Sequence, residues 1–473
     1  LTEAKHLASY NWIEADTPTI IVPGSPAVWR GDKASRQLKK DSGLVYIAQN
    51  AARYPESPLE PLFRALYIEN PSFDISAVHV ISDRNNLRKL LSFVDPSSDA
   101  HGVKDFSMQM EFVNGTAILH REETKTKEFI GPDDFRGFGH EFEKAYTRKR
   151  IPLSTGHHRV VSYCFGGLRL VVRHETDGYV DDGTPTQASK QTAGDNLSSL
   201  LGSMSISQPT VAKDTTSAAS KLTVRQGGRS IPLESTLEIK TRVQHKPLKV
   251  TDVAPQLWLS QTPRLVRAYH NRGIFNAPVV ENVSTDVRRW ERANQEKLGR
   301  LVTLLISIIA KGRPQGHVSV RYSASKDRLR VDRCVGKKMF PEDLYQRWKN
   351  DNDLRNSDQD TKREGMASAS TQVSNMWEIP DIRSANIDRR TRAPLLWPHQ
   401  SSLMLVLPLL NKLMLRRLLH RGQCDRKHPV SQSCLASSAK GCEKATRDGT
   451  DRWRALVRYA NAFSAPETFA RTM

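Results

Sequence analysis

Apolar positions recur along residues 41–349 in two periods, and together they predict an α+β fold. In Pro58–Asn70 (PLEPLFRALYIEN), Leu59, Leu62 and Leu66 fall at helical spacing, with both prolines at the start, where a helix tolerates them. Val78–Ile81 reads as a short strand leading into a helix over Arg84–Phe93. Phe106–Phe112 alternates, Asn114-Gly115 is a hairpin turn, and Thr116–His120 is the return strand. Gly139–Thr147 predicts a helix, and Val160–Val180 two strands about the Gly166-Gly167 turn. Ser235–Val243 is a further strand, and Asp286–Ala310 a long helix with Val287, Trp290, Leu298, Leu301, Leu305 and Ile308 on one face. His317–Tyr322 and Arg328–Val331 form a last hairpin before a helix over Pro341–Lys349. The expected core is a mixed or antiparallel sheet with flanking helices.

Around this core the patterning lapses. Residues 1–40 carry Pro18, Pro23, Gly24, Pro26 and Gly31 among scattered apolar positions, which predicts an extended N-terminal arm. Residues 183–222 hold fourteen Ser or Thr with no sustained apolar period, which predicts a disordered insertion. Residues 350–400 read as a polar linker and 401–473 as a basic tail. Within the tail, Leu403–Leu419 is apolar, then basic, and is broken by Pro408. It reads either as a membrane-surface or partner-binding helix or as a packing helix or poorly ordered terminus, and the proline favours the latter pair.

The chain has 473 residues and a formal charge of +20, half of which lies in residues 381–473, with 17 Lys or Arg against 7 Asp or Glu. That balance points to a polyanionic partner: RNA, DNA or an acidic membrane surface. Five cysteines, Cys164, Cys334, Cys424, Cys434 and Cys442, are few and odd in number. They fit a reducing compartment, and the expected location is intracellular, the nucleus ahead of the cytoplasm. The chain opens at Leu1 without a signal-peptide pattern, and no run reaches the roughly 18 to 20 apolar residues of a membrane span.

Candidate chemistry sits at the ends of predicted strands. Glu175-Thr176-Asp177 closes an apolar strand, and Glu238-Ile239-Lys240 lies within another. Residues i and i+2 of a strand share a face, so each motif is expected to present its charged groups side by side to one pocket. Three carboxylates and a lysine together suit hydrolysis of phosphate esters or anhydrides, with oxygen ligands for Mg²⁺ or Mn²⁺ and a cation near the attacking water. A single E-x-K is a common solvated pair, but here Leu237 and Ile239 flank the charges. Glu143, on the predicted helix upstream, adds the carboxylate that PD-(D/E)XK nucleases often draw from their first helix; by itself it reads as a solvated glutamate.

In order along the chain stand Asp83-Arg84-Asn85-Asn86-Leu87-Arg88-Lys89-Leu90, Gly139-His140-Glu141-Phe142-Glu143, Glu175-Thr176-Asp177, Glu238-Ile239-Lys240 and Trp258-Leu259-Ser260-Gln261. This series resembles the decapping and exoribonuclease (DXO-type) family, whose fold is a modified PD-(D/E)XK core, over residues 55–345. His140 replaces an aromatic residue of the family pattern, and Asn85 a glycine. The resemblance implies that Glu143, Asp177 and Glu238 bind Mg²⁺ or Mn²⁺, that Glu175 does so directly or through water, and that Ile239 offers its carbonyl. It implies that Lys240 orients water, that Gln261 stands beside the scissile phosphate and that Arg84 holds the RNA 5′ end. The implied activity is a metal-dependent hydrolase of RNA 5′ ends: removal of incomplete or NAD-type caps, 5′-triphosphate hydrolysis or 5′-to-3′ digestion. The alternative is a catalytically weak RNA-binding protein of the same fold, partnering a 5′-to-3′ exoribonuclease.

Other chemistries are less well supplied. A prenyl diphosphate synthase needs D-D-x-x-D helices, whereas Asp133-Asp134 and Asp181-Asp182 continue as FRG and GTP. Cys424, Cys434 and Cys442 with His420 and His428 contain no C-x-x-C pair, so free thiols are favoured over a zinc site. His157-His158 follows a Ser-Thr-Gly and reads as an exposed turn. Trp258, between Leu257 and Leu259, reads as core packing at least as readily as a base-stacking platform.

Overall fold

The computed structural model describes residues 1–31, 34–98, 102–181 and 220–348, together with the backbone of 387–388. The chain divides into two units, 1–391 and 392–473, and the second lies wholly outside the described residues. The linker, the Leu403–Leu419 segment and the Cys424, Cys434 and Cys442 set fall outside them too, apart from residues 387–388.

A mixed sheet organises the first unit. Its strands run in the order Thr223–Gln226, Thr19–Val22, Thr2–Ile13, Ser154–Phe165, Leu168–Glu175, Val80–Asp83, Thr116–Arg121, Phe106–Val113, His317–Ser323 and Arg328–Arg333, with Ile387–Asp388 on the last edge. Val80–Asp83 lies parallel to both its neighbours. Most other pairs are antiparallel, joined by tight turns such as Asn114-Gly115, where both residues take positive φ. Both faces are covered, which is why the strand Leu168–Glu175 buries Leu170, Val171 and Val172 in succession, Val171 to one side and its two neighbours to the other. On one face helices Arg84–Val94 and Gln295–Gly312 bring Leu87, Leu90, Leu301 and Ile308 against Met108, Val161 and Val172. On the other, helix Glu60–Glu69 and residues 342–348 pack Leu62, Phe63 and Trp348 onto Tyr10, Ile118 and Val171.

A second sheet takes Thr147–Arg148, Val28–Trp29, Gly178–Tyr179, Thr236–Val243, Arg264–Asn271, Ile274–Phe275 and Arg36–Gln37 in that order. Helix Gly139–Tyr146 seats Phe142 and Tyr146 on its Leu237, Ile239 and Phe275. The result is the expected α+β architecture, built on two sheets. Among the described residues no helix is long and apolar enough to cross a membrane.

Three expectations are corrected. Residues 1–40 are not an arm: Thr2–Ile13 is a twelve-residue strand inside the large sheet, paired along most of its length with Ser154–Phe165. Its alternation is hidden because Leu7–Ile13 is buried on both faces. Trp12, fully buried, also donates its indole N–H to Asn50 Oδ1 at 2.8 Å. Trp12→Ala is therefore expected to cost about 3–5 kcal/mol, read as a fall in the urea midpoint at unchanged slope. Of the expected insertion, residues 183–219 lie outside the described residues, and its last residue belongs to the core instead: Leu222 is buried and Thr223–Gln226 then pairs with Thr19–Val22. The single helix over Asp286–Ala310 is two, Ser284–Ala293 and Gln295–Gly312. Between them Asn294 turns its side-chain amide onto the Trp290 carbonyl at 2.8 Å.

Candidate active site

The two sheets meet where one strand hands over to the other. Leu168–Glu175 ends at Glu175, and the next strand, Gly178–Tyr179, belongs to the second sheet and pairs with Leu237 and Thr236. Asp177 lies in the crossing, and its Oδ2 accepts the Ile239 backbone N–H at 2.7 Å. Glu175 and Asp177 are thus brought near the E-x-K strand by the crossing of the chain and not, as their spacing suggests, by sharing one strand face. Glu238 and Lys240 do share a face, with Lys240 Nζ donating to Glu238 Oε1 at 2.5 Å. Glu143 rides on helix Gly139–Tyr146, whose Phe142 is anchored in the second sheet, and its carboxyl feels the charges of Asp177, Glu175, Lys240 and Glu238.

Arg84 arrives from the large sheet. It opens helix Arg84–Val94 directly after Val80–Asp83, the strand beside Leu168–Glu175. Asp83 fixes that junction by taking both Nε and Nη2 of the buried Arg173, at 2.6 and 2.9 Å. From there Arg84 Nη1 reaches Glu238 Oε2 at 3.5 Å. A cavity of about 120 Å³ opens beside it, lined among others by Arg84, Asn85, Arg88, Arg121, His158 and Glu175.

Electrostatics divides the carboxyls. Burial pushes Glu143 well above the usual range, and Asp177 and Glu175 push it further. Asp177 is raised to about 7, first by burial and then by Glu238. Glu175 is raised by burial, with Arg84 opposing. Glu238 alone is lowered: burial acts to raise it, but Lys240 and Arg84 outweigh that. Lys240 is itself raised, since Glu238 and Asp177 overcome the effect of burial. The protein's own cations therefore keep one carboxylate of the four fully charged, and the others share a deficit of positive charge.

That deficit bears on a metal. The donors are carboxylate and carbonyl oxygens, which suit a hard divalent cation, and such a cation would supply the missing charge. As arranged, no three His, Cys, Asp or Glu side chains among the described residues form a group able to hold one. Both Glu238 oxygens are engaged, Oε1 by Lys240 and Gln256 and Oε2 by Arg84. The chemistry of the set fits the cation.

Gln261 bonds within its own helix. It caps helix Val250–Ser260 in the left-handed conformation, φ 54°, and its amide folds back onto the Trp258 carbonyl of its own helix. Gln256, which the W-x-x-Q spacing passed over, donates to Glu238 instead. The available signal was a glutamine on the inner side of a helix that also buries Leu257, Trp258 and Leu259. Trp258 is core, 1% exposed and edge-on to Phe165 and Trp290. The His157-His158 pair is also inside. The strand already begins at Ser154, and His157 bonds Asn11 Oδ1 at 2.9 Å while His158 bonds Gln49 Oε1 at 3.0 Å.

Among solved structures, the chain is similar to Scheffersomyces stipitis Rai1, with 11% identity, a TM-score of 0.46, and 74% of this chain and 97% of that one covered. It is similar to Candida albicans Rai1 in complex with pU5-Mn2+, with 11% identity, a TM-score of 0.46 and 74% and 95% covered. K. lactis Dxo1 in complex with manganese gives 11% identity, a TM-score of 0.38 and 71% and 91% covered. Similarity at this level does not transfer a ligand or an activity. No curated protein matches the sequence. A family profile does, over residues 2–348, spanning both sheets apart from the edge strand Ile387–Asp388, the crossing between them and every residue of the site. By that match, across well over half its length, the chain belongs to the family described as "Domain of unknown function (DUF8563)".

Proposed function

We propose that this protein is a metal-dependent phosphohydrolase or nuclease acting on RNA 5′ ends, removing incomplete or NAD-type caps, hydrolysing 5′-triphosphates or digesting 5′-to-3′. The observation that carries the reading is the gathering of Glu143, Glu175, Asp177, Glu238 and Lys240 at the sheet junction, with Asp177 bonded to the Ile239 N–H and raised to about 7 by burial and then by Glu238. The ordered motif series adds to it.

Glu143, Glu175, Asp177 and Glu238, with the Ile239 carbonyl, would hold Mg²⁺ or Mn²⁺. Bound there, the ion supplies charge stabilisation at phosphate and a more acidic water. Lys240 orients that water and steadies developing phosphate charge, and Arg84 receives the 5′-terminal phosphate. Gln256 fixes the Glu238 carboxylate by its amide, and Gln261 stands beside the scissile phosphate.

The test is product analysis on 5′-triphosphate, NAD-capped and 5′-monophosphate RNAs with Mg²⁺ or Mn²⁺. Release of a cap fragment, phosphate or nucleotide that stops with chelator is the expected result. RNA binding without any product would establish the non-catalytic alternative, an RNA-binding partner of a 5′-to-3′ exoribonuclease.

A further inference from the structure

A two-stranded ribbon, Gly43–Tyr46 paired with Lys127–Ile130, stands apart from both sheets. Leu44 faces Phe129 and Tyr46 faces Lys127, so these four side chains share one face. Phe129 is 71% exposed and Leu44 53%. Phe129 and Leu44 thus form an exposed apolar pair on that face.

Its placement ties it to the site at both ends. Beyond Tyr46 the chain becomes the cavity wall at Ile47, Ala48 and Gln49, shared with Arg84 and Glu175. At the other end Asp41 fastens the ribbon to the start of the Glu143 helix: its N–H reaches the Gly137 carbonyl and its carboxylate takes the Glu141 N–H at 3.0 Å. The charge beside the aromatic groups is positive. Lys125 and Lys127 are exposed, Arg53, itself paired with Glu14, lies 5.1 Å over the Tyr46 ring, and the ribbon's one carboxylate, Glu128, is paired with Arg136.

We infer that this face is a stacking platform for the first unpaired bases of an RNA strand whose 5′ end lies among the carboxylates. The inference rests on the function proposed above and extends it to the body of the substrate. An aromatic ring flanked by cations suits unpaired bases, because every base has a π-face and every linkage a negative charge. A four-residue ribbon, roughly 13 Å long, accommodates about two bases.

The experiment measures the affinity of a ten-nucleotide single-stranded RNA, and of the same sequence as a duplex, by fluorescence anisotropy in chelator at fixed salt. Phe129→Ala is expected to weaken the single strand by ~5- to 100-fold whatever its sequence, and to leave the duplex unchanged. Phe129→Trp should retain wild-type affinity, and Lys127→Gln should flatten the salt dependence by ~0.7. Single-strand affinity within twofold of wild type for Phe129→Ala, as expected if the face docks a protein, overturns the inference. So does an equal loss on the duplex. Hydrolysis with no Phe129 effect removes the platform and leaves the proposed function standing; Phe129-dependent binding without hydrolysis does the reverse.

Discussion

Replacing Asp177 by Asn and Glu238 by Gln together is expected to lower metal-dependent product release by at least about 1000-fold, as for the loss of essential charge-stabilising groups. Binding should not follow. With chelator present, affinity for RNA is expected to stay level or tighten, because two negative charges facing phosphate are gone. Arg84 and Lys240, which wild type spends on Glu238, are also released. The amide replacements are chosen because Asp177→Asn keeps an acceptor for the Ile239 N–H. Glu238→Gln keeps the side chain's shape and one acceptor oxygen for Lys240 and Gln256, which Glu238→Ala would not. Unchanged turnover in the double variant would remove these carboxylates from the chemistry.

The second large effect is on stability against pH. His6 and His158 are lowered to about 3, by burial and then by Arg159 and Arg173 respectively. His157 and His174 are lowered well below the usual value, by burial and then by Arg159 and Arg84 respectively. These four stay neutral in the fold but take protons when unfolded, so their stability is full above about pH 6.5 and is lost as pH falls below it. Asp177 and Glu69, each raised to about 7, and Glu143, raised well above its usual value, act oppositely. They already hold protons in the fold where the unfolded chain does not, so they add stability as pH falls from about 7 to about 4.5.

In wild type the two sets largely offset each other, and stability should fall only gently between pH 6.5 and 4.5. Glu143→Gln with Asp177→Asn removes two of the three opposing groups. That variant is expected to be more stable than wild type at pH 8, where ionised neighbours no longer repel. Between pH 6.5 and 4.5 it should lose stability more steeply than wild type, because the two groups that gain protons in the fold are gone. Urea midpoints at pH 8, 6.5, 5.5 and 4.5 give both curves. Parallel curves would show that neither carboxyl is raised in the fold.

What the sequence disclosed followed the reach of its signals. Arg84–Val94, the Asn114-Gly115 hairpin and the strand through Glu238 rest on local periodicity, and each was legible to within a few residues. Glu238 and Lys240 were legible as a pair because both lie in one strand. Asp177 was legible as a site residue for the wrong reason. Its neighbourhood with Glu238 depends on a change of sheet that no spacing rule expresses. Gln256 was missed because the motif spacing selects a glutamine five positions later, while the choice between them turns on which way a helix faces. His157 and His158 looked like a turn because Ser-Thr-Gly is a turn composition, yet pairing with Tyr10 and Asn11 draws them into the sheet. Long-range pairing also decided the fate of Thr2–Ile13.

That last pairing sets a timetable for biosynthesis. The segment Leu7–Ile13, buried at every position in the finished sheet, is made well before Ser154–Phe165, the strand that shelters one of its edges. At ~5–20 residues per second the intervening stretch takes on the order of ten to thirty seconds to translate, during which an apolar strand with an open edge emerges without its partner. It is during this interval that a nascent chain of this protein most needs a chaperone, and substitutions that slow translation between the two strands should lower soluble yield without altering the finished protein.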